Sequence, residues 1–218
     1  MKTDVKGKLE SAYVEAPFDV ALKELKKEGY RIISLEENAK LRMQEGKDAF
    51  ISRNGNYVQE AIIYDKDKGK FLTKYPIIID NAQEATERHK NGDEFYLNDK
   101  QVSNAIKKGI AVKFPKIKDY SIPTDKFGED IITDFAFGKI AKDYGLFLKD
   151  AGIKEMPIWF AGLKDKAFAR QMWFGRLGDD DGSDLYGDYG YLNCDDWVRG
   201  VCLSASKAHT QKISYTPE

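Results

Sequence analysis

The residue types that favour contact with a ligand are concentrated in the stretch from 174 to 196. It reads FGRLGDDDGSDLYGDYGYLNCDD and has no Lys, Glu, Gln, Met or Trp, although the chain holds 35 Lys and Arg and 36 Asp and Glu. Tyrosine supplies a large amphipathic contact area at little rotamer cost, while Gly, Ser and Asn supply adaptable hydrogen bonds. This composition is typical of an antibody-type paratope and predicts a ligand-binding surface.

The aromatic and polar side chains of the stretch are the expected ligand contacts. The tyrosines would supply anchor area, and the aspartates would supply charge-assisted hydrogen bonds. The predicted contact residues are Phe174, Asp179, Asp181, Asp184, Tyr186, Asp188, Tyr189, Tyr191, Asn193, Asp195 and Asp196.

A second set of residues is expected to hold the stretch on the core. Leu177, Leu185 and Leu192 recur at roughly regular intervals and should point inward, while Trp173 and Trp197 bracket the stretch as core pillars. Rigid anchors of this kind position exchangeable contact residues. The predicted scaffold residues are Trp159, Trp173, Leu177, Leu185, Leu192, Trp197 and Arg199.

The run Asp179-Asp180-Asp181-Gly182-Ser183-Asp184 raises the alternative of a calcium site, because clustered carboxylates suit a hard cation. Its spacing does not match an EF-hand, and the chain lacks the Glu-Pro-Asn and Gln-Pro-Asp triplets of lectin calcium sites. We therefore expect an acidic, solvated loop with no bound metal or other cofactor. Repulsion between its carboxylates would favour a basic or a hydrogen-bonding ligand patch.

Catalytic groups are sparse along the chain. His89 and His209 are far apart in polar surroundings and are expected to be exposed, and there is no phosphate loop, CxxC pair or HExxH helix. Cys194 and Cys202 are too few for a disulfide scaffold. Cys202, within an apolar run, is expected to be buried. These patterns predict a protein without catalytic residues.

The C-terminal part, over about 156–203, resembles the variable proteins of diversity-generating retroelements, in particular their archaeal and viral members. The matching motifs are RQMWF at 170–174, LYGD at 185–188 and WVRGV at 197–201. The resemblance implies a C-type lectin fold of the type shared with the formylglycine-generating enzymes. It also implies a single domain over 1–218, with a variable ligand-binding region at 174–196.

In that family an error-prone reverse transcriptase miscopies adenines, so that Asn codons of the AAY type change to a restricted set that excludes Lys, Glu, Gln, Met and Trp. Every residue from Phe174 to Asp196 belongs to the allowed set. The resemblance therefore implies a non-catalytic binding protein with diversified specificity, whose partner is a macromolecule such as a protein or a cell-surface molecule. Calcium-dependent carbohydrate binding stays open as an alternative.

An enzyme of the formylglycine-generating type is a second alternative implied by the same resemblance. The eight-residue separation of Cys194 and Cys202 does not match the active-site pair of those enzymes. Cys194 is itself an accessible outcome of the mutagenic code, which makes it a product of variation.

Periodicity and end signals predict the elements that carry these residues. A capping box at Ser34-Leu35-Glu36-Glu37 starts one helix, and the turn Asn54-Gly55 joins two strands in a hairpin. Helices and strands do not alternate strictly, so the fold class is α+β, with mixed antiparallel strands and flanking helices. Predicted helices are 17–28, 34–44, 83–90, one that opens at 98, and 127–151; predicted strands are 30–34, 49–53, 57–64, 70–79, 110–114, 156–160, 171–174 and 198–203.

The overall charge and hydropathy exclude several partners. The net charge is −1 and the pI about 6.2, with Lys interleaved among Asp and Glu, so no basic groove for nucleic acid is expected. The N-terminal sequence lacks the apolar core of a signal peptide, and no apolar run is long enough to span a bilayer. We expect cytoplasmic synthesis, with virion or surface display open, and no membrane insertion.

Overall fold

The computed structural model describes residues 10–178, 182–189 and 191–202, and the backbone of 210–214. Its twelve described strands are β1 (Glu10–Ala16), β2 (Arg31–Ile32), β3 (Asn56–Asp65), β4 (Gly69–Thr73), β5 (Phe95–Tyr96), β6 (Ala111–Lys113), β7 (Tyr120–Pro123), β8 (Glu155–Trp159), β9 (Phe168–Phe174), β10 (Leu185–Tyr186), β11 (Asp196–Cys202) and β12 (Thr210–Ser214). The α-helices are α1 (Phe18–Lys27), α2 (Leu35–Glu45), α3 (Phe50–Arg53), α4 (Ala82–Lys90), α5 (Asp99–Ala105), α6 (Ile131–Phe137) and α7 (Ala141–Asp150), and 3-10 turns are Ile79–Asn81, Thr124–Lys126 and Gly138–Ile140.

One mixed sheet organises these strands in the order β12-β1-β11-β3-β9-β10-β8-β7, with β2, β4, β5 and β6 pairing beside this path. β3 lies at its centre, antiparallel to β9 and parallel to β11. β11 also pairs antiparallel with β1 along its whole length, from Glu10 opposite Cys202 to Ala16 opposite Asp196. The stretch 174–196 therefore leaves one central strand, β9, and returns to the sheet in another, β11.

Two apolar cores cover the two faces of this sheet. Successive side chains of a strand point to opposite faces, and β3 follows that rule. Helices α2, α6 and α7 pack on one face, and α1, α4 and α5 on the other. On β3 the first core receives Val58, Ile62 and Tyr64, and the second receives Tyr57, Ala61 and Ile63.

The predicted helix starts are confirmed where a capping box marked them. The Ser34 hydroxyl accepts from the Glu37 backbone N–H while the Glu37 carboxylate accepts from that of Ser34, and Asn98 and Gln101 form the same reciprocal pair. Within the described residues, no helix has both the length and the apolar character needed to cross a membrane.

Three predicted elements were wrong, each for a local reason. The helix predicted over 127–151 is divided, because Gly138 adopts a φ of 56° that an α-helix does not contain. The segment 49–53, predicted as a strand, holds helix α3, so Asn54-Gly55 is not a hairpin turn. The strand predicted over 70–79 ends at Thr73, and the apolar residues 77–79 lead into a 3-10 turn after Pro76, which has no N–H to donate.

Glu60 is a buried carboxyl on β3, and its burial raises its pKa from 4.5 to about 7. Hydrogen bonding from the Leu35 N–H at 2.9 Å and the charge of Lys74 oppose that rise, while Glu37 adds to it. Because the folded pKa lies above the unfolded one, the folded state favours the protonated carboxyl. The free energy of unfolding therefore falls as pH rises from 4.5 to 7.

We predict that Glu60→Gln removes this loss of stability. A shift of this size corresponds to about 3 kcal/mol between pH 4.5 and pH 8, since each pKa unit is worth about 1.4 kcal/mol. Urea unfolding at both pH values measures it: the original chain should lose stability over this interval and the variant should lose much less. An equal change in the free energy of unfolding between the two pH values for both proteins would contradict the prediction.

Candidate ligand-binding face

The stretch 174–196 is held mainly through its main chain, by groups outside it. The Arg42 guanidinium donates to the Gly175 carbonyl at 2.7 Å, the Tyr64 hydroxyl donates to the Gly187 carbonyl at 2.9 Å, and Arg170 donates to the Asp188 carbonyl. Three main-chain hydrogen bonds hold it as well. The Leu177 N–H donates to the Ser52 carbonyl at 2.6 Å, the Gly187 N–H to the Trp159 carbonyl at 2.8 Å, and the Phe18 N–H to the Leu192 carbonyl at 2.8 Å. Every residue type has a carbonyl and all but proline have an N–H, so these anchors do not depend on the side chains of the stretch.

Arg42 is the deepest of these anchors. Its side chain is fully buried and also donates to the hydroxyls of Tyr144 at 3.3 Å and Ser183 at 3.1 Å. Its guanidinium lies 4.0 Å from the centre of the Phe174 ring. One helical side chain of α2 thus joins the end of β9, the loop after it and helix α7.

Arg170 is fixed in turn by an ion pair. Its Nε and Nη2 atoms bind the two oxygens of Glu94 at 3.0 and 2.6 Å, and Lys164 binds the same carboxylate at 2.9 Å. This bidentate geometry leaves Nη1 directed at the Asp188 carbonyl. No local pattern predicts the contacts of Arg42, Tyr64 or Glu94 with the stretch and its anchors, because these partners lie at least 70 residues away along the chain.

The three leucines of the stretch point inward, as their spacing predicted. Leu185 and Leu192 have no exposed surface, and Leu177 is 9% exposed. Leu185 pairs across β10 with Phe174 of β9 and Ile158 of β8, which ties the middle of the stretch into the sheet.

The tryptophans differ from one another in burial. Trp173 is half-buried between Gly55 and Tyr189: a Cβ on Gly55 would clash with the indole, and the Tyr189 ring stacks on it at 4.9 Å. Trp197 stacks on Phe50 at 4.8 Å. The prediction of Trp159 as a core pillar was wrong, because its side chain is 38% exposed on the outer face of β8.

Arg199, a predicted scaffold residue, is buried on β11. It donates to the Ser11 hydroxyl at 3.1 Å and lies over the Tyr13 ring at 5.3 Å. Burial lowers its pKa to about 10, which keeps it charged at neutral pH. Arg199 thus links the strand that ends the stretch to β1.

Two predicted ligand contacts point into the protein. Phe174 was wrong as a contact, because its ring has no exposed surface and packs against Phe137 and Tyr144. Asp184 is 3% exposed, and one of its oxygens accepts from the Trp159 indole N–H at 2.7 Å. Phe174 continues the alternation of Phe168 and Met172 on β9, a signal in the sequence that would have placed it inside.

The remaining described contact residues share one outer face. Tyr191 is 56% exposed, Asp188 and Asp195 are exposed, and Tyr186, Tyr189, Asn193 and Asp196 are half-buried. Asp179 and Asp181 lie outside the described residues. We call the described residues of this face, together with Trp159, the variable face.

Aromatic rings form a continuous row along the variable face. Trp159 stacks with Tyr186 at 6.4 Å, Tyr186 lies 6.5 Å from Tyr189, and Tyr189 meets Tyr191 edge-on at 5.3 Å. The Tyr189 hydroxyl donates to Asp196 at 3.2 Å. Burial, and then the Asp196 carboxylate, raise the pKa of Tyr189 to about 12.

Comparison with known proteins identifies the architecture. No family model matches this chain, and no curated protein matches it. A solved structure from Nanoarchaeota, described as accommodating massive sequence variation by the C-type lectin fold, is similar to it with a TM-score of 0.62. The similarity covers 91% of this chain and 98% of that one, at 14% sequence identity. The chain has a C-type lectin fold.

The C-type lectin fold confirms the predicted α+β class, and it places the stretch 174–196 between the two central strands β9 and β11. Cys194 is exposed, whereas Cys202 is half-buried where burial was predicted. His89, predicted to be exposed, is half-buried on α4, and His209 lies outside the described residues. In the described part of the chain, no three His, Cys, Asp or Glu side chains are grouped so as to hold a metal ion.

Gly187 is a position in the stretch that this C-type lectin fold does not allow to vary. A Cβ there would lie 2.5 Å from the Tyr64 hydroxyl and also clash with Ile62, so both buried side chains would have to move. We predict that Gly187→Ala lowers the free energy of unfolding by about 2 kcal/mol, the usual effect of overpacking.

Gly162→Ala is the matched control, because a Cβ at Gly162 meets nothing within 4 Å. It should change the free energy of unfolding by less than about 0.5 kcal/mol. Urea unfolding of both variants measures the difference, and equal stability of the two would contradict the close approach at Gly187.

Proposed function

We propose that this chain is a non-catalytic ligand-binding protein whose region 174–196 is diversified by adenine-directed retroelement mutagenesis. Its scaffold would display many binding specificities on the variable face, and its ligand would be a macromolecule such as a protein or a cell-surface molecule. The proposed contacts are Tyr186, Asp188, Tyr189, Tyr191, Asn193, Asp195 and Asp196, with Asp179 and Asp181 beside them in the sequence.

The observation that carries the proposal is the division of labour within 174–196. The scaffold binds main-chain atoms at Gly175, Gly187 and Asp188 and buries the leucines with Phe174, Ser183 and Asp184, while the polar and aromatic residues of 186, 188, 189, 191, 193, 195 and 196 lie on the outer face. Such a division lets outer side chains change without loss of the anchors. The residue alphabet of the stretch, which a code starting from Asn codons reaches, supports the same conclusion.

The likeness to the nanoarchaeal structure adds support at the level of fold. That protein is described as accommodating massive sequence variation by the C-type lectin fold. The shared fold, at 14% identity, offers this chain the same kind of scaffold for a varied surface.

Retroelement diversification leaves a trace in the coding DNA. A nearly identical template copy of the segment for 174–196 should lie close to the gene, beside a reverse transcriptase gene, and should differ at adenines. We expect those differences in codons for outward residues such as Tyr191 and Asn193. The codons of the enclosed residues Leu185, Gly187 and Leu192 should be the same in both copies.

Sequencing the genomic neighbourhood tests this prediction. Absence of a template copy and of a reverse transcriptase gene would refute diversification. Differences concentrated at Leu185 or Gly187 would refute the assignment of those residues to the fixed scaffold.

A surface built for exchange should tolerate substitution of its outward side chains without loss of stability. Replacing the outward residues together, as Tyr191→Asn, Asn193→Ser and Asp195→Asn, should change the free energy of unfolding by less than about 1 kcal/mol, because surface changes are usually small. Leu185→Ala is the contrasting variant and should lower it by about 3 kcal/mol, since that side chain is fully buried.

Urea unfolding of both variants measures the contrast. A loss of several kcal/mol in the triple variant would mean that the outer side chains hold the fold. That result would contradict a surface built for exchange.

A further inference from the structure

The variable face holds Asp188, Asp195 and Asp196 and no Lys or Arg, and it lies in an acidic part of the sequence. Region 174–196 holds seven aspartates and one arginine, a formal charge of −6, whereas the whole chain has −1 and the remainder therefore +5. No Lys or Arg occurs between Arg176 and Arg199. Clustered like charges on one face raise the local concentration of oppositely charged groups and steer their approach.

The carboxylates of this face are only weakly compensated within the protein. Asp196 is half-buried, and burial, with Asp195 and Glu15, raises its pKa, while the Tyr189 hydroxyl opposes the rise. Arg170 favours the charged form of Asp188, but its guanidinium is committed to Glu94 and to the Asp188 carbonyl. Carboxylates in this state gain from an incoming cation.

The aromatic row lies between these carboxylates. At one end Asp188 lies beside Trp159, since the Gly187 N–H donates to the Trp159 carbonyl at 2.8 Å. At the other end Tyr189 adjoins Asp196, with the exposed Tyr191 beside it. Lysine and especially arginine bind the faces of such rings and carboxylates at once. The row therefore offers at least two places for a cationic side chain, one near each end.

We propose that the variable face of this chain binds a basic segment of a protein, whose Lys or Arg side chains pack on Trp159, Tyr186, Tyr189 and Tyr191 and pair with Asp188 and Asp196. This inference rests on the proposed function, because it names the partner class of the same site. A segment fits better than a single small cation, since the carboxylates lie at both ends of the ring row. Nucleic acid is excluded as this partner by the like charge of its phosphates.

Trp173, which stacks on Tyr189 beside the row, limits the basic site. Beyond that ring a cavity of about 260 Å³ is lined by Arg53, Arg176 and Asp196 among others. Two arginines there disfavour a further cation, so the basic segment should run from Asp196 towards Trp159 and not into this cavity.

The experiment is calorimetric titration of the full chain with short oligoarginine, oligolysine and oligoglutamate peptides. The first two should bind, arginine more tightly, and the third should not. The double variant Asp188→Asn, Asp196→Asn should weaken oligoarginine binding about tenfold, as loss of paired charges at an interface does. Tyr191→Ser should weaken oligoarginine more than oligolysine, because the guanidinium also stacks on the ring.

The matched control is Asp143→Asn with Asp150→Asn, which removes the same charge from exposed positions of α7. It should weaken oligoarginine binding less than about twofold, since distant exposed charges are screened. Circular dichroism of each variant verifies that it is folded.

Three results would overturn the inference: no binding of either basic peptide, an equal loss in the control double variant, or equally tight binding of the small polyamine spermine. Failure here is distinct from failure of the proposed function. A template copy in the DNA with no basic-peptide binding would refute only the partner class, and peptide binding without a template would refute only diversification.

Discussion

The structure depends on hydrogen bonds from buried scaffold side chains to the backbone, and to a few inward side chains, of a segment whose other side chains lie on the outer face. Arg42 is the central case: a guanidinium with no exposed surface binds the Gly175 carbonyl, the Ser183 and Tyr144 hydroxyls and the Phe174 ring. A charge placed this deeply is unfavourable unless its donors are used. Arg42 therefore requires the loop after β9 to return to one place, whatever that loop displays.

The same constraint explains how irregular backbone is kept in register. Tyr64 and Arg170 hold Gly187 and Asp188 from the two neighbouring strands β3 and β9, and Leu185 pairs on both sides in the two-residue strand β10. Glu94 fixes the plane of the Arg170 guanidinium through a bidentate ion pair, so that Arg170 can donate to the Asp188 carbonyl in one orientation. The anchored residues are thus spaced along the segment, and the outward residues lie between them in the sequence.

Sequence reasoning predicted the parts of this design that are local. The capping boxes, the inward leucines and the outward tyrosines follow from residue type and spacing. The predictions for Phe174 and Trp159 were wrong, although the alternation of side chains along their strands indicates where each one points. Phe174 lies on the same inward face of β9 as Phe168 and Met172. Trp159 lies on the opposite face of β8 from the buried Met156 and Ile158. Arg42 and Glu94 could not be predicted, because a charged residue in a polar sequence does not indicate which distant carbonyl or cation it meets.

The pairing of β1 with β11 has a consequence for the order in which the molecule is made. β11 closes the stretch 174–196 and is held by the first described strand, from Glu10 opposite Cys202 onwards. Contacts this distant in sequence form slowly, because the loop-closure entropy is lost before the contacts are gained. On a ribosome β1 is therefore made long before its partner β11, and the outer face between β9 and β11 is completed only after β11 has emerged.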